Sequence, residues 1–326
     1  MEEIFNWGII GPGRIAEKFA NDLQVVKGAA LYAVASRSGS TSLAEKHHVP
    51  RVYRSYQEIA ADPKVDAIYI ATPHPFHASA AKLCLEAGKP VLVEKPLTVN
   101  AAETAALIRL SQEKQVFLME AMWSRFLPIH QQIRQWLDEE KVGQVQAVTS
   151  SFGFLHQKTD DDRWLNPLLG GGSLLDIGIY PLSITQFVMQ TDPVQIQAQA
   201  LLSSTGVDIY TAVNLKYASG AVAQFSCTFL ADTTDGMEIL GTEGKITIKK
   251  NFHMAEKAVL EVYQQRKKKF SGRLRSSGFE YQIEEAIACI RAGRIESQTM
   301  SHADSLGNMR LMDQIRTQIG VKYPFE

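Results

Sequence analysis

With 326 residues, 45% of them hydrophobic and 21% charged, and a formal net charge of −1 at pH 7, the chain has an ordinary globular composition and no electrostatic pull toward nucleic acid or anionic lipid. It is longer than one hydrophobic core usually supports, so two domains are expected, with small molecules or further copies of the chain as partners. The three cysteines, Cys84, Cys227 and Cys289, are far apart and odd in number, which fits neither a disulfide framework nor a zinc site and suits a reducing compartment. The opening "MEEIFNWGII" is acidic and runs directly into a strand pattern, and no apolar run is expected to reach membrane-spanning length; the expected location is cytoplasmic, with no membrane partner.

From residue 4 to about 120, short apolar runs alternate with amphipathic stretches. "IFNWGII", a helix opening at Arg14, "AALYAVAS", "VDAIYIAT", a helix over 76–87, "PVLVEK", a helix over 101–114 and "QVFLME" follow one another. This rhythm predicts a parallel sheet covered on both faces, that is, a doubly wound α/β domain. After a helix over 128–139 the character changes. "QVQAVTSSFGF", "VQIQAQALLS", "DIYTAVNLKY", "AVAQFSCTF", "GMEILGT" and "KITIKK" read as strands, with turn signals at Ser219-Gly220 and Glu243-Gly244. A large, open, mainly antiparallel sheet is expected there, with helices near 279–292 and 302–319 closing an α+β domain. The expected domains are 1–122 for dinucleotide binding and 123–326 for substrate binding and dimerisation, with a C-terminal helix free to pack back on the first. The basic run Arg266–Lys269 reads as a solvated loop.

The first strand ends in "GIIGPGRIA", where Gly11, Gly13 and Ala16 satisfy the glycine fingerprint of a Rossmann dinucleotide site in its alanine-ended form. Gly11, Pro12, Gly13, Arg14 and Ile15 are the expected pyrophosphate turn, with the phosphates at a helix N-terminus. An NAD enzyme usually places a carboxylate at the end of the second strand. This strand ends "AVASRS", so Ser36 and Arg37 point to the 2′-phosphate of NADP, with NAD as the alternative. Thr72 and Pro73 in "IATPHPFHA" follow the fourth strand and are expected to line the cofactor, with His77 opening a helix and counted with them at the cofactor. His74 and His77 have no acidic or cysteine partner near them in sequence, and no metal is expected. "VLVEKPLT" closes the fifth strand with Glu94 and Lys95, where a lysine is positioned to meet the nicotinamide. In "LLGGGSLLDIGIYPLSI", three glycines precede an apolar helix carrying Asp176 and, four residues on, Tyr180, a spacing that sets the two side by side.

"WGIIGPGRIA", the "EKPL" segment, "LMEAMWSRFLP" and "GGGSLLDIGIYPL" together resemble the family named for glucose-fructose oxidoreductase, inositol dehydrogenase and MocA, over nearly the whole chain. "EAMWSRF" and a tyrosine in place of the usual histidine are most similar to the branch of dimeric dihydrodiol dehydrogenases and NADP-dependent D-xylose dehydrogenases. The resemblance implies Lys95 as the essential lysine, Asp176 as the helix carboxylate and Tyr180 as the acid/base, with Trp123, Arg125, Phe154 and Trp164 lining or bordering the substrate pocket. It implies hydride transfer between a nicotinamide and a sugar, polyol or vicinal diol. The alternatives are reduction of a ketose or anhydro sugar and, in another class, a non-catalytic NADP-bound regulator on the same fold.

Overall fold

The computed structural model describes residues 4–36, 42–156 and 162–326. The chain divides into two compact units, Met1–Trp123 with Arg275–Leu306, and Ser124–Leu274 with Gly307–Glu326. A single boundary after residue 122 therefore does not describe it.

The first unit runs β1 (Phe5–Ile10), α1 (Arg14–Leu23), β2 (Ala29–Ala35), α2 (Ser42–Lys46), β3 (Arg51–Tyr53), α3 (Tyr56–Ala61), β4 (Ala67–Ile70), α4 (His77–Glu86), β5 (Val91–Glu94), α5 (Ala101–Lys114) and β6 (Leu118–Ala121). Among the described residues six strands pair in parallel in the order β3-β2-β1-β4-β5-β6, the Rossmann order. The central strands are continuously apolar because both faces are covered: Trp7, Ile9 and Ile10 of β1 and all of β4 and β5 are buried. Phe19 of α1 lies flat on Tyr69 of β4, ring centroids 4.0 Å apart. At the start of α5 the Asn100 side chain accepts from Glu103 N at 2.9 Å, a cap that the sequence "NAAE" supplies locally. The short α2, β3 and α3 carry too few residues to show a period, and the sequence reading passed over them.

In the second unit α6 (Pro128–Asp138), β7 (Val145–Gly153) and α7 (Ile179–Met189) precede β8 (Gln195–Leu202), β9 (Asp208–Lys216), β10 (Val222–Thr228), β11 (Met237–Gly241), β12 (Gly244–Ile248), β13 (Lys257–Val262) and β14 (Lys268–Ser271). Eight described strands form one sheet, β14-β13-β12-β11-β7-β10-β9-β8, antiparallel except for the β7–β10 pair. One face, with Val148, Val213, Phe225 and Ile239, is buried, and α7 packs against β7 and β10. On the other face Gln195, Gln197, Gln199, Asn214, Val222 and Gln224 are exposed. The basic run differs from expectation: Lys268 and Lys269 begin the edge strand β14, where charge discourages pairing with a foreign strand.

Helical backbone around α7 corrects another expectation. Pro167–Met189 is long and apolar enough, by length and composition, to cross a membrane, yet 89% of its most apolar window is buried inside the protein. A core helix and a membrane span share this composition; here the apolar surface is already covered.

α8 (Phe279–Arg291) returns to the first unit, and the unit boundary falls within α9 (His302–Ile319). The return is held by a buried carboxylate. Asp22 accepts from Ser276 Oγ (2.7 Å), from Ser277 N and Oγ, and from Phe279 N (2.8 Å), filling the start of α8 from 254 residues away in sequence. The segment also covers the edge strand β6: Leu118 N donates to Ile295 O at 3.0 Å, and His302 Nε2 lies 3.0 Å from Leu118 O. Replacing Asp22 with Ala is expected to destabilise the protein by about 2–4 kcal/mol, the range for a lost cap combined with lost charged hydrogen bonds. Urea titration with limited proteolysis checks this; an unchanged midpoint and no new cleavage within 275–306 would contradict it.

Candidate active site

At the fingerprint of the first unit, Gly11 has φ +85°, and a Cβ on it would lie 2.9 Å from the backbone of Ala71 and Thr72, so only glycine fits the turn. A Cβ on Gly13 would meet nothing within 4 Å, and Gly13 opens α1 without a side-chain cap. An open position at a helix start with backbone donors is the cradle a pyrophosphate requires. Pro12 and Ile15 are half-buried, Arg14 is exposed, and Ala16 is buried, keeping α1 close to β1. These residues fit a dinucleotide. Ser36 is buried and its N donates to Tyr53 O at 3.1 Å, while Arg37 lies outside the described residues.

Beyond β4, Pro73 is exposed and Thr72 is buried, its Oγ1 without a hydrogen-bond partner among the described residues. His77 corrects its expected role. It is 0% exposed and both ring nitrogens lie 2.8 Å from backbone carbonyls, Thr72 O and Pro96 O, so it does not face a cofactor. Glu94 is also buried, accepting from Tyr69 Oη and from Lys95 N. Burial pushes its carboxyl above the ordinary range, while the Tyr69 hydrogen bond and the charges of Lys95 and Lys18 act against this. Lys95 is half-buried at the end of β5, and its peptide bond to Pro96 is cis. Trp123 packs against Phe279 of α8 at 5.2 Å, and the Lys18 ammonium sits 3.9 Å from the Trp123 ring and 4.2 Å from Phe279. Burial lowers the Lys18 pKa; Asp22, Glu94 and Glu280 oppose the shift. Nothing local in the sequence marked Lys18, since the rings that enclose it come from positions 123 and 279.

Chemistry in the second unit gathers on the segment opened by three glycines. Gly172 has φ +115°, and a Cβ there would strike the Asp208 carboxylate. That close approach lets Asp208, at the start of β9, accept from Ser173 Oγ and Leu174 N at 2.7 Å and from Thr211 Oγ1 at 2.8 Å. Leu174–Gly178 is a π-helical turn and α7 follows from Ile179, so the expected regular α-helix is interrupted. Pro181 has no N–H for the preceding turn, and the helical register changes just before it.

Asp176, in the π-helical turn, accepts from Arg163 Nη2 at 3.0 Å and from Trp164 Nε1 at 2.9 Å, one bond on each carboxylate oxygen. Trp164 is edge-on to Phe154 (5.8 Å) and to His156 (4.7 Å), and Phe229 closes the group at 5.2 Å from Phe154. Phe154, Trp164 and Asp176 are thus brought together. Tyr180, 7% exposed, packs against Phe152 (5.6 Å) and His253 (5.5 Å), which stack on each other at 4.1 Å. Arg125 is not a pocket-lining side chain here. It is 1% exposed, its Nε donates to Ser183 Oγ and its Nη2 to Ser183 O, so the guanidinium braces α7 from within. The sequence reading missed Arg163, Asp208, Phe152 and His253. Arg163 adjoins Trp164 in "DRWLNP" and was findable with it; Asp208 had no local signal, because its partners Ser173 and Leu174 are more than thirty residues away.

An oriented carboxylate, a phenol about one turn on, and an aromatic wall can hold a polyhydroxylated or ring-bearing molecule and exchange a proton with it. Residues 5–122 match the model of an oxidoreductase family with an NAD-binding Rossmann fold, and residues 130–247 match the GFO/IDH/MocA C-terminal domain. Over 327 residues the chain is 36% identical to the trans-1,2-dihydrobenzene-1,2-diol dehydrogenase of Danio rerio, covering 97% of both chains. It is similar to a 3-ketoreductase from Actinomadura kijaniata solved with NADP and TDP-benzene, at TM-score 0.84 and 26% identity over 97% of this chain and 98% of that one. The fold is also that of an aldose-aldose oxidoreductase from Caulobacter crescentus, with TM-score 0.88 and 22% identity over 97% of both chains. By this likeness along nearly its full length, the chain belongs to the Gfo/Idh/MocA family of nicotinamide-dependent oxidoreductases.

Proposed function

We propose that the protein is an NADP(H)-dependent dehydrogenase of a sugar, polyol or vicinal diol, with Tyr180 as the acid/base and Lys95 as the cation that tunes it. The observation that carries this reading is the Asp176 carboxylate, held on both oxygens by Arg163 and Trp164 beside an aromatic wall. Such a carboxylate accepts from a substrate hydroxyl without needing to move, and flat aromatic faces suit a sugar ring or a dihydroaromatic diol. The diol substrate in the name of the Danio rerio relative supports the same class. Bound cofactor supplies hydride exchange at its nicotinamide. In oxidation the substrate hydroxyl gives its proton to the Tyr180 phenolate oxygen as hydride leaves the carbon; in reduction Tyr180 returns the proton to the forming alkoxide. A phenol is a poor base near neutrality, and a lysine cation favours its ionised form. Reduction of a keto sugar is the second reading, favoured by the likeness to a 3-ketoreductase, and it uses the same groups in reverse.

NADP preference rests on Ser36 and Arg37 standing where an acidic residue would select NAD. Pairing of two copies rests on the uncovered face of the eight-stranded sheet, whose exposed residues are mostly uncharged. A cytoplasmic location rests on three buried cysteines that are all free thiols.

Arg37→Ala is expected to weaken NADP at least about tenfold while NAD binding changes little, as for loss of a charged hydrogen-bond partner. Fluorescence titration with both cofactors reads this, and equal losses would count against it. Tyr180→Phe should lower kcat by about 10²–10⁴-fold with NADP affinity retained. Lys95→Met should lose comparable rate and move the oxidation profile to higher pH, because removing a cation raises the pKa of the phenol it tuned. An unmoved profile in steady-state assays would leave Lys95 without the tuning role. Sedimentation at micromolar concentration should show a dimer, and a strict monomer would argue against the sheet-face interface.

A further inference from the structure

Among the buried histidines, His77 has a hydrogen-bond geometry that a neutral ring cannot satisfy. Its Nδ1 lies 2.8 Å from Pro96 O and its Nε2 lies 2.8 Å from Thr72 O. Both neighbours are backbone carbonyls, which only accept, whereas a neutral imidazole carries one N–H and one lone pair. In the neutral form one nitrogen would turn its lone pair on a carbonyl oxygen at hydrogen-bond distance, inside a residue with 0% exposure where no water relieves the contact. His130 supplies the contrast. It too is 0% exposed, but only its Nε2 meets a carbonyl, Phe252 O at 2.8 Å, and its Nδ1 has no hydrogen-bond partner among the described residues. Burial holds His130 neutral, its pKa pushed down to about 4. Burial alone therefore does not call for a second proton; the second carbonyl does.

We propose that His77 is a doubly protonated imidazolium and a positioning residue, donating from both ring nitrogens to tie the loop after β4 to the turn after β5. The two tied segments are those the cofactor side of the protein uses. Thr72 belongs to the backbone on which the Gly11 turn packs, and Pro96 follows Lys95 directly. The clamp thus links the glycine turn, the Thr72 loop and the lysine within the first unit. His74 stands edge-on to His77 at 5.7 Å. The faces of α5 and α3 beside α4 present the uncharged Thr104, Leu107, Ile59 and Ala60, and the first turn of α5 adds one carboxyl group, Glu103, whose Oε2 is buried. The ionisable groups at the tied turn are Glu94 and Lys95, which precede Pro96, and Glu120, whose carboxyl accepts from Leu97 N at 3.1 Å. Glu94 and Glu120 set two carboxyl groups at this turn, and the charges of Lys95 and Lys18 act on Glu94.

The protonation state stands independently of the activity assigned above, whereas the consequence for Lys95 rests on that reading. The full-length protein labelled with ¹⁵N-histidine is examined by imidazole ¹⁵N NMR between pH 6 and pH 8, with His77 assigned by its absence in His77→Gln. The expected result is one histidine with two protonated ring nitrogens at pH 8, where a histidine with the ordinary pKa of about 6.5 has lost one proton. If none of the eight histidines keeps both protons at pH 8, the proposal is overturned, and this outcome needs no variant that folds. Glutamine carries both of its N–H donors on one nitrogen and an accepting oxygen at the other position, so it cannot donate at both sites and holds only one of the two carbonyls. His77→Gln is expected to lower kcat by about tenfold or more through loss of a charged hydrogen bond, with substrate KM changed by less than about threefold. A folded His77→Gln protein with unchanged kcat would remove the positioning role even if the imidazolium is present.

Discussion

Asp208 lies where an unpaired carboxylate would be unacceptable, and the three hydrogen bonds it accepts fix the start of the segment on which Asp176 and Tyr180 both stand. Burial drives its carboxyl above the usual range, and the donors from Ser173, Thr211 and the Leu174 backbone oppose that drive. The constraint runs both ways. Gly172 can have no side chain because Asp208 Oδ1 occupies the space, and its φ of +115° belongs to the turn that brings Ser173 and Leu174 to Asp208 Oδ2. Tyr323 reinforces the same turn by donating to Gly171 O at 2.7 Å, so the C-terminal residues of the second unit also bear on the placement of the candidate acid/base.

The first unit solves a similar problem with Asp22. A segment that follows the whole second sheet in sequence must return to a parallel sheet whose last strand, β6, would otherwise show an open edge. Capping of α8 by Asp22 and the bonds of Leu118 to Ile295 and His302 add polar contacts at both ends to the buried apolar face of α8, Phe279, Ile283, Ala286 and Ile287. Lys18 is enclosed by Trp123 and Phe279 as a result of that return, and its ammonium is stabilised by two ring faces and by the carboxylates of Asp22, Glu94 and Glu280.

Several ionisable side chains in this protein are engaged by fixed hydrogen bonds within their own unit. Arg125 satisfies Ser183 within α7, Glu94 receives Tyr69 and the Lys95 amide, and His77 meets two carbonyls. Buried or nearly so, each orients its neighbours through fixed hydrogen bonds.

Periodic burial, the glycine fingerprint and the turn dipeptides were legible because each is written within a few residues. β4 reads as an unbroken apolar run and β1 and β5 as runs broken only by Asn6 and ended by Glu94, α5 announces its start with Asn100 and Glu103, and Gly11 and Gly13 stand in the first strand-to-helix turn. The sequence by itself therefore determined two sheets of different kinds and a dinucleotide-binding first domain, and it named Asp176 and Tyr180 as candidates. Only the tertiary structure decided which partners the buried polar groups find. Asp22 with Ser277 and Asp208 with Ser173 are joined across long separations that no local pattern records. It likewise decided that Pro167–Met189 is a core segment, since composition reports how apolar a helix is and only packing reports what covers it. The same reason separates His77 from His130: both are histidines on helices, and the number of carbonyls that folding brings to each ring sets what the ring can be.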